Sequence, residues 1–515
     1  MYLRTKIAVF FLFAFFVSLL PQEKVDLQMI QKIKNEEYTN SKVMETLSFL
    51  TDVYGPRLTN SPAWHKAAEW AKDELTKYGL VNAEIEPWGE FGKGWSLESF
   101  SLEMTSPQYT RIEAYPEAWT KSTNGIVRGE PVLLDIKSEE DLAQFKGKLK
   151  GAIVMMGGER EVEKRFEADA RRLTDEDLTK LQMAPEPGAR SRWADRIAEY
   201  RKMRELRNKV SEFLKTEGIA VILEPSRGQD GTLFAASGGS YKVGEDGGTA
   251  SFQVEIEAYN RIVRILEKKI PVKIAAELKT AFYDKDTNGH NIIAEIPGTD
   301  PDLRDQVVML GGHFDSWQAA TGASDNAAGS AVAMEAVRIL KALGVQPRRT
   351  IRIALWDGEE EGLLGSRGYV LKHFGNSRTL ELKPEQSKVS GYFNYDNGSG
   401  KIRGIYLQGN ETVRPIFEEW LKPFHDMGAS TLTIRTTGGT DHLAFDAIGI
   451  PGFQFIQDPL DYSVRIHHSN MDNYDHASKS DLMQSAMIMA AFVYNTAMRD
   501  EMLPRKPLVK QMSRF

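Results

Sequence analysis

The 515-residue sequence contains no cysteine. This absence excludes a disulfide framework, a thiolate zinc site, an iron–sulfur cluster and a cysteine nucleophile, so any bound metal must be held by histidine and carboxylate side chains. The sequence also lacks a large net charge, because 65 Lys and Arg nearly balance 72 Asp and Glu and leave a net charge of −7. Such a chain lacks the basic face that nucleic-acid binding requires, and it indicates no anionic-membrane partner.

Four common catalytic motifs are missing as well. The sequence has no G-x-S-x-G nucleophile elbow, no phosphate-binding P-loop, no G-x-G-x-x-G after a predicted strand and no H-E-x-x-H. Each of these motifs supplies a defined piece of chemistry, so their absence argues against the enzyme classes that depend on them. The chemistry of this chain must therefore come from residues at other spacings.

Long uncharged apolar runs are scarce, and the clearest lies near the N-terminus, where Arg4 and Lys6 precede the 14 residues 7–20. A charged start followed by an apolar run of this length is typical of an export signal, whereas a membrane-spanning helix needs about 20 apolar residues. We therefore predict that residues 1–22 form a signal peptide and that the protein is exported to the periplasm or the medium. An uncleaved N-terminal anchor is the alternative, and no stable membrane span is expected after signal removal.

The second half of the chain alternates apolar runs with amphipathic segments. Strands are predicted at residues 306–314, 350–357, 391–396 and 452–457, and helices at residues 325–343, capped by Asp325 or Asn326, and at residues 362–374. Continuous apolar strands that alternate with helices predict an α/β fold with a mostly parallel central sheet flanked by helices. Nearer the N-terminus, residues 62–78 are predicted to form an amphipathic helix that begins with Pro62.

Between residues 107 and 272 the composition changes, because short strand-like pieces at residues 151–158 and 219–225 flank a highly charged middle. In that middle, apolar residues recur at helical spacing first over residues 162–173 and again over residues 193–213. The turn-forming segment 184–189 separates the two stretches. The pattern predicts two amphipathic helices folded as a hairpin.

Histidine, aspartate and glutamate residues lie at or just after the ends of the predicted strands. They are His313, Asp315, Asp325, Glu359, Glu360, Glu361, Asp396, His467 and His468. Open parallel sheets bind their ligands beyond the carboxyl ends of the strands, so these side chains are expected to meet at one edge. Imidazoles and carboxylates without thiolates are the ligands that a pair of zinc-type cations requires.

Individual roles follow partly from position. Asp325, at a predicted helix start, suits a carboxylate that bridges two cations. Of Glu359 and Glu360, one is expected to coordinate metal and the other to act as general base. Asp315 is expected to hold the second nitrogen of His313.

Three further titratable residues are Glu361, Asp441 and His442. Glu361 is expected to be a solvated charge. Asp441 and His442 lie in the Gly-rich segment GGTDHLAF, residues 438–445. They are either substrate contacts or part of a polar turn.

The motifs GGHFDSW, GA-x-D, LWDGEEEG and HHSNMD resemble those of the co-catalytic zinc exopeptidases, above all carboxypeptidase Q-like members. The resemblance covers residues 275–475 and, more loosely, residues 40–80 through YGPRLTNSPA. It implies the three-layer zinc-exopeptidase fold and two Zn²⁺ per chain. The segment KGKLKGAIVMM, residues 146–156, is similar to the β-rich protease-associated domain inserted in many such enzymes.

The resemblance also implies a role for each site residue. One metal would be held by His313, Asp325 and Asp396, and the other by Asp325, Glu360 and His468. Glu359 would be the general base and Asp315 the acid beside His313. Where many members have a tyrosine that stabilises the oxyanion, this chain has His467, so His467, Asp441 and His442 are the candidates for oxyanion or substrate contacts.

The domains expected on this basis are a signal peptide (1–22), a first catalytic part (23–106), a protease-associated insert with its helical hairpin (107–272), a second catalytic part (273–502) and a tail (503–515). The expected activity is metallo-exopeptidase hydrolysis of peptides or dipeptides by a metal-activated water with Glu359 as base. The sequence does not determine which peptide terminus is attacked or whether the protein forms a homodimer. The alternatives are a glutaminyl-peptide cyclase-like enzyme with one zinc and a receptor-like binding protein without activity.

Overall fold

A computed structural model describes residues 23–184 and 191–508, with the side chains of residues 191–201 and 204 left undescribed. The predicted signal peptide and the last residues of the predicted tail lie outside these ranges. Within them, no helix is both long and apolar enough to cross a bilayer.

The described residues form helices and strands in the following order. The helices are α1 Leu27–Asn40, α2 Val43–Ser48, α3 Pro62–Lys77, α4 Asp175–Gln182, α5 Ser191–Glu217, α6 Ile256–Glu267, α7 Ala328–Ala342, α8 Leu364–His373, α9 Arg414–Leu421, α10 His442–Asp446 and α11 Lys479–Met498. The strands are β1 Val81–Glu90, β2 Gly94–Ser106, β3 Thr110–Arg111, β4 Ala114–Pro116, β5 Val127–Gly129, β6 Pro131–Leu134, β7 Ile153–Met156, β8 Val221–Pro225, β9 Ser251–Val254, β10 Lys273–Tyr283, β11 Asn288–Ile296, β12 Val307–His313, β13 Thr350–Trp356, β14 Gly375–Asn376, β15 Glu381–Leu382, β16 Val389–Asn394, β17 Ile402–Tyr406, β18 Thr431–Thr433 and β19 Gly452–Gln457.

The largest sheet has eight strands in the order β1-β11-β13-β12-β16-β19-β17-β18. Its centre, from β13 through β12 and β16 to β19, is parallel, and antiparallel pairs flank that centre. Every residue of β12, β16 and β19 is buried. Side chains on both faces of these strands pack into separate cores, one with α3, α7 and α11 and the other with α8 and α10. The continuous apolar runs in the sequence reflect this covering on both faces.

Most of the helices and strands predicted around the large sheet are confirmed, with one shift at a helix start. The predicted helix over residues 325–343 begins at Ala328, because Asp325 and Asn326 have non-helical φ values of −129° and −137°. Asn326 still serves the helix start, since its Oδ1 accepts a hydrogen bond from the Gly329 amide at 3.0 Å. The shift leaves the Asp325 side chain free to face the sheet edge instead of capping the helix.

Two smaller sheets are built from strands that follow β1 and precede β11 in the chain. One has the order β3-β2-β10-β5 and the other β4-β9-β8-β7-β6, and a shared core joins them. Strands β2 and β10 pair along their whole lengths, although β2 precedes residue 107 and β10 follows residue 272. The insert thus rests on a ribbon built from both flanking segments, and the domain boundaries stay a prediction.

The charged middle of the insert differs from the predicted helical hairpin. Residues 162–173 form no helix, while α5 covers the second predicted helix and α4 is short. Residues 171–173 instead attach to the end of β19, where the Leu173 amide donates to Asp458 Oδ1 at 3.0 Å. Arg172 pairs with both Asp458 and Asp481, at 2.9 and 2.7 Å. These contacts hold residues 172 and 173 in a non-helical conformation, although the apolar spacing predicts a helix there.

Candidate metal centre

The large sheet brings the predicted site residues to one edge. His313 ends β12, and Glu359 and Glu360 follow β13. Asp396 comes two residues after β16, and His468 lies in the loop after β19. Because β12, β13, β16 and β19 are parallel neighbours, their carboxyl ends point the same way and the side chains meet there.

A first cluster forms around His313, whose side chain is 1% exposed. Its Nε2 lies 3.3 Å from Asp325 Oδ1 and 3.5 Å from Asp396 Oδ1. One nitrogen and two carboxylate oxygens within this distance offer a cation three ligands on one side.

A second cluster forms on the other oxygen of Asp325. Asp325 Oδ2 lies 3.5 Å from His468 Nε2, which is itself 2.8 Å from Glu360 Oε2. His467 is more distant, with its Nε2 3.9 Å from Asp325 Oδ2 and a side chain 41% exposed. Asp325 therefore faces one cluster with each of its two oxygens, as a bridging carboxylate must.

Buried polar atoms without partners test whether a metal fits this site. Among the described residues, His313 Nε2, Asp325 Oδ2 and Glu360 Oε1 are buried without a hydrogen-bond partner. Buried polar atoms are normally hydrogen-bonded, so three partnerless atoms in the two clusters around Asp325 need an explanation. A nitrogen and oxygen set of this kind fits zinc or a similar divalent cation.

Asp315 supports the site in a different way from the one expected. The Nδ1 of His313 contacts the backbone oxygen of Asp315 at 3.1 Å, while the Asp315 carboxylate lies farther away, at 3.6 Å. That carboxylate instead accepts the Glu360 amide at 3.1 Å. Asp315 thus ties the strand that carries His313 to the segment that carries Glu360.

Asp472 and Arg57 also support the site, although no role was predicted for either from the sequence. Asp472 accepts the backbone amides of Ser324 and Asp325, at 2.6 and 3.0 Å. Arg57 is fully buried and donates to four backbone oxygens, two of them on Thr321 and Gly322 just before Asp325. Both residues lie in motifs that carry the resemblance, Asp472 in HHSNMD and Arg57 in YGPRLTNSPA. Their contacts with the turn before α7 depend on the fold and have no signal in the sequence.

Glu359 is 9% exposed, and burial raises the pKa of its carboxyl well above the ordinary range. The positive charge of His313 lowers this pKa, while Asp396, Asp441 and Glu360 raise it further. A carboxyl in such surroundings holds a proton more readily than an exposed one.

The expectation that Glu361 is a solvated charge is wrong. Its Oε2 accepts the Thr59 hydroxyl at 2.7 Å, and its Oε1 is buried. Burial and the nearby Asp315 raise the pKa of this carboxyl well above its usual value. Three consecutive acids are typical of an exposed segment, yet the turn after β13 directs all three side chains inward.

Asp441 and His442 are both completely buried. Burial raises the pKa of Asp441 to about 7, with His313 opposing the shift and Asp396 adding to it. Burial lowers the pKa of His442 to about 4, and its Nε2 lies against the Gln408 side chain. Such burial fits the polar-turn alternative better than direct substrate contact, and the roles of both residues stay predictions.

The open side of the site is lined by Trp317, Ala320, Gly322, His468 and Ser469 beside the acidic residues. The Trp317 ring centroid lies 6.1 Å from that of His468. Tyr462 is nearby, with its ring 4.9 Å from that of His467. Burial and then the charge of Asp325 raise the pKa of the Tyr462 hydroxyl well above its usual range, so it stays protonated.

Comparison with known proteins confirms the resemblance that the motifs indicated. Residues 291–493 match the family described as Peptidase family M28. Carboxypeptidase Q of Homo sapiens is 30% identical over 252 residues, which are 49% of this chain and 50% of the human protein. The chain thus spans about half the length of the curated relatives it matches.

Solved structures show that the fold is shared. A peptidase M28 precursor from Shewanella amazonensis SB2B aligns with a TM-score of 0.66 at 22% identity, over 93% of this chain and 98% of that one. A zinc aminopeptidase from Bacillus subtilis aligns with a TM-score of 0.55 at 19% identity, over 89% and 95% of the two chains. The predicted α/β fold with a mostly parallel sheet flanked by helices is confirmed.

Proposed function

We propose, from the match of residues 291–493 to peptidase family M28, that this chain is a zinc-dependent exopeptidase that hydrolyses terminal bonds of peptides or dipeptides. The observation that carries the proposal is the position of Asp325, with one oxygen 3.3 Å from His313 Nε2 and the other 3.5 Å from His468 Nε2. A single cation would need only one of these faces. Two faces with separate ligands support a pair of ions.

In this proposal His313, Asp325 and Asp396 hold one Zn²⁺, and Asp325, Glu360 and His468 hold the other. When bound, the two ions would supply Lewis-acid polarisation of the scissile carbonyl and a water that loses its proton near neutral pH. Asp472 fixes the bridging Asp325 through its backbone amide, and Asp315 fixes Glu360 in the same way. The ligand set is thus held by hydrogen bonds to the backbone.

Glu359 is the general base of the proposed reaction. Its carboxylate takes a proton from the attacking water and passes it to the nitrogen of the leaving amine. Its position supports this role, because Glu359 is buried among His313, Asp396 and Glu360 but is not one of the ligands assigned to either ion. Glu360, whose Oε2 is 2.8 Å from His468 Nε2, is the better placed of the two glutamates to be a ligand.

Two side chains are proposed to donate a hydrogen bond to the substrate oxygen that gains charge. His467 is partly exposed at the rim, and Tyr462 keeps its proton beside it. A donor aimed at that oxygen typically contributes about 10²–10³-fold to turnover. We assign this role to the pair and not to Asp441 or His442, which are fully buried.

Two alternatives differ from the proposal in measurable ways. A glutaminyl-peptide cyclase-like enzyme would need one zinc and would cyclise peptides that begin with glutamine. A receptor-like binding protein would need no base, yet a buried glutamate and partnerless metal-ligand atoms are costly to keep without chemistry to perform.

The test is a zinc titration of protein stripped with a chelator. Hydrolysis of a panel of dipeptides is measured at zero, one and two equivalents of Zn²⁺, with a glutamine-initiated peptide in parallel. The proposal predicts that hydrolysis reaches its maximum near two equivalents. Full activity at one equivalent with cyclisation identifies the cyclase, and no turnover of any substrate identifies the binding protein.

The proposal also includes export, directed by residues 1–22, and a protease-associated insert. N-terminal sequencing of the protein recovered from its native host tests the first point, because a cleaved signal removes those residues. Light scattering on the same material tests for a homodimer.

A further inference from the structure

One segment of the insert, residues 226–234, lies directly against the loop that carries His468. Phe234 forms an antiparallel bridge with Ser469, the residue after His468. The Asn470 amide donates to the Leu233 backbone oxygen at 2.9 Å, and the Leu233 amide donates to Asn470 Oδ1 at 2.7 Å. The insert therefore supplies one wall beside the candidate metal centre.

Arg227 stands on this wall without an acidic partner. Its guanidinium lies over the Phe234 ring, 4.2 Å from the ring centroid. Among the described residues no carboxylate lies within ion-pair distance of it, whereas nearby Arg165 and Arg465 both pair with Asp169. An arginine is charged at any physiological pH, so the site keeps an uncompensated cation here.

Arg227 stands beside the metal-ligand loop. The Phe234 ring under its guanidinium belongs to the residue that bridges to Ser469, next to His468. Around the metal centre the other charged side chains are mainly acids, which repel an anionic group. Arg227 is the feature of this wall that would attract one.

The segment that presents Arg227 is rigid. The Ser226 side chain is fully buried, and its hydroxyl accepts the Phe234 amide at 3.0 Å. At Gly228 a Cβ would lie 2.3 Å from the Thr232 backbone oxygen, so the turn closes only with glycine. With the guanidinium stacked on Phe234 and both ends of the turn fixed, Arg227 is ready for a ligand and loses little freedom on binding.

We propose that Arg227 binds the free α-carboxylate of the substrate, so that the preferred substrates are dipeptides or peptides cleaved at the C-terminal bond. This inference rests on the proposed exopeptidase function. A planar guanidinium pairs with a carboxylate through two parallel hydrogen bonds, which fixes the distance from that carboxylate to the scissile bond. A long peptide with a free N-terminus but a blocked or distant C-terminus makes no use of this group.

The first test compares dipeptides that have a free carboxylate with the same dipeptides amidated. The wild type is expected to prefer the free acids in kcat/KM, and Arg227→Gln is expected to lose about 10- to 100-fold on the acids, mainly through KM, with little change on the amides. Arg227→Lys keeps the charge but not the paired geometry and is expected to recover part of the loss. Arg264→Gln is the matched control, because this insert arginine pairs with Glu159 and contacts no site residue.

The second test measures binding without turnover, in zinc-loaded Glu359→Gln protein with and without Arg227→Gln. The same acid and amide dipeptides are titrated calorimetrically. Tighter binding of the acid that disappears with Arg227→Gln supports the proposal. An acid-to-amide ratio that Arg227→Gln leaves unchanged, in turnover or in binding, overturns it. A wild type that hydrolyses neither series contradicts the exopeptidase function, and the binding arm still decides the role of Arg227.

Discussion

The carboxylate of Asp472 accepts the backbone amide of Asp325 at 3.0 Å, and it accepts the amide of Ser324 at 2.6 Å with its other oxygen. Asp325 is the residue that faces both clusters of the candidate metal centre. The loop that supplies His468 therefore also orients the carboxylate that His468 shares with His313. These two hydrogen bonds join the loop after β19 to the turn before α7.

The contact between Asp472 and Asp325 leads to a prediction about zinc affinity. Asp472→Asn keeps one acceptor oxygen but loses the second, so the turn before α7 is held less firmly. We expect zinc affinity to fall about 10- to 100-fold, the usual effect of removing a group that orients a metal ligand. Competition titration against a chromogenic chelator measures the affinity. Asp475→Asn is the control, since Asp475 is exposed in the same loop, and an equal loss in both variants would contradict the role of Asp472.

A second prediction concerns Thr59, which joins the N-terminal part of the chain to the site. Its hydroxyl lies 2.7 Å from Glu361 Oε2 and 3.2 Å from Asp315 Oδ2. Thr59→Val leaves these buried carboxylates without that donor, and we expect the free energy of unfolding to fall by about 1–3 kcal/mol. Urea unfolding of zinc-stripped protein measures the change. Thr59→Ser should restore most of the stability, whereas Thr76→Val, at an exposed position on α3, should have little effect.

A third prediction concerns a buried pair of glutamates far from the metal centre. Glu37 on α1 and Glu335 on α7 are both fully buried. Burial and the Glu335 carboxylate raise the pKa of Glu37 from its ordinary 4.5 to about 9. Between these pH values the folded chain holds a proton that the unfolded chain has lost, so folding becomes weaker as the pH rises. This single group makes stability fall by about 1.4 kcal/mol per pH unit over that range.

The Glu37→Gln variant isolates that effect, because glutamine has the shape of the protonated acid and does not titrate. Relative to the wild type, its stability should increase steadily as the pH is raised from 6 to 9. Urea unfolding of zinc-stripped protein across that range provides the measurement. Glu45→Gln, an exposed neighbour, should follow the wild type. A constant difference between Glu37→Gln and the wild type would show that Glu37 titrates normally.

Much of the catalytic fold was predictable because its signals are local. Each central strand is buried on both faces, so its sequence is a continuous apolar run. The ends of these runs indicate where the edge of the sheet lies. The convergence of His313, Asp325, Glu360, Asp396 and His468 followed from that edge. Their roles as ligands stay predictions until a metal is measured.

The features that the sequence did not reveal depend on contacts between distant segments. Residues 162–173 have helical spacing, but Arg172 and Leu173 are held by Asp458, almost 290 positions later. Glu361 is the third of three consecutive acids, a pattern typical of exposed residues, yet the Thr59 hydroxyl donates to it in the fold. Arg227 has no local signal at all, because only the pairing of Phe234 with Ser469 brings it to the site.

The central claim is that Glu359 moves the proton in a hydrolysis at a site loaded with two zinc ions, and one measurement tests it most directly. The initial rate of dipeptide hydrolysis is compared between wild type and Glu359→Gln, with zinc per chain determined on the same samples. We predict two zinc ions in both proteins and a rate that falls about 10²–10⁴-fold in the variant, the range expected for loss of a general base. An unchanged rate with the zinc content intact would contradict the account.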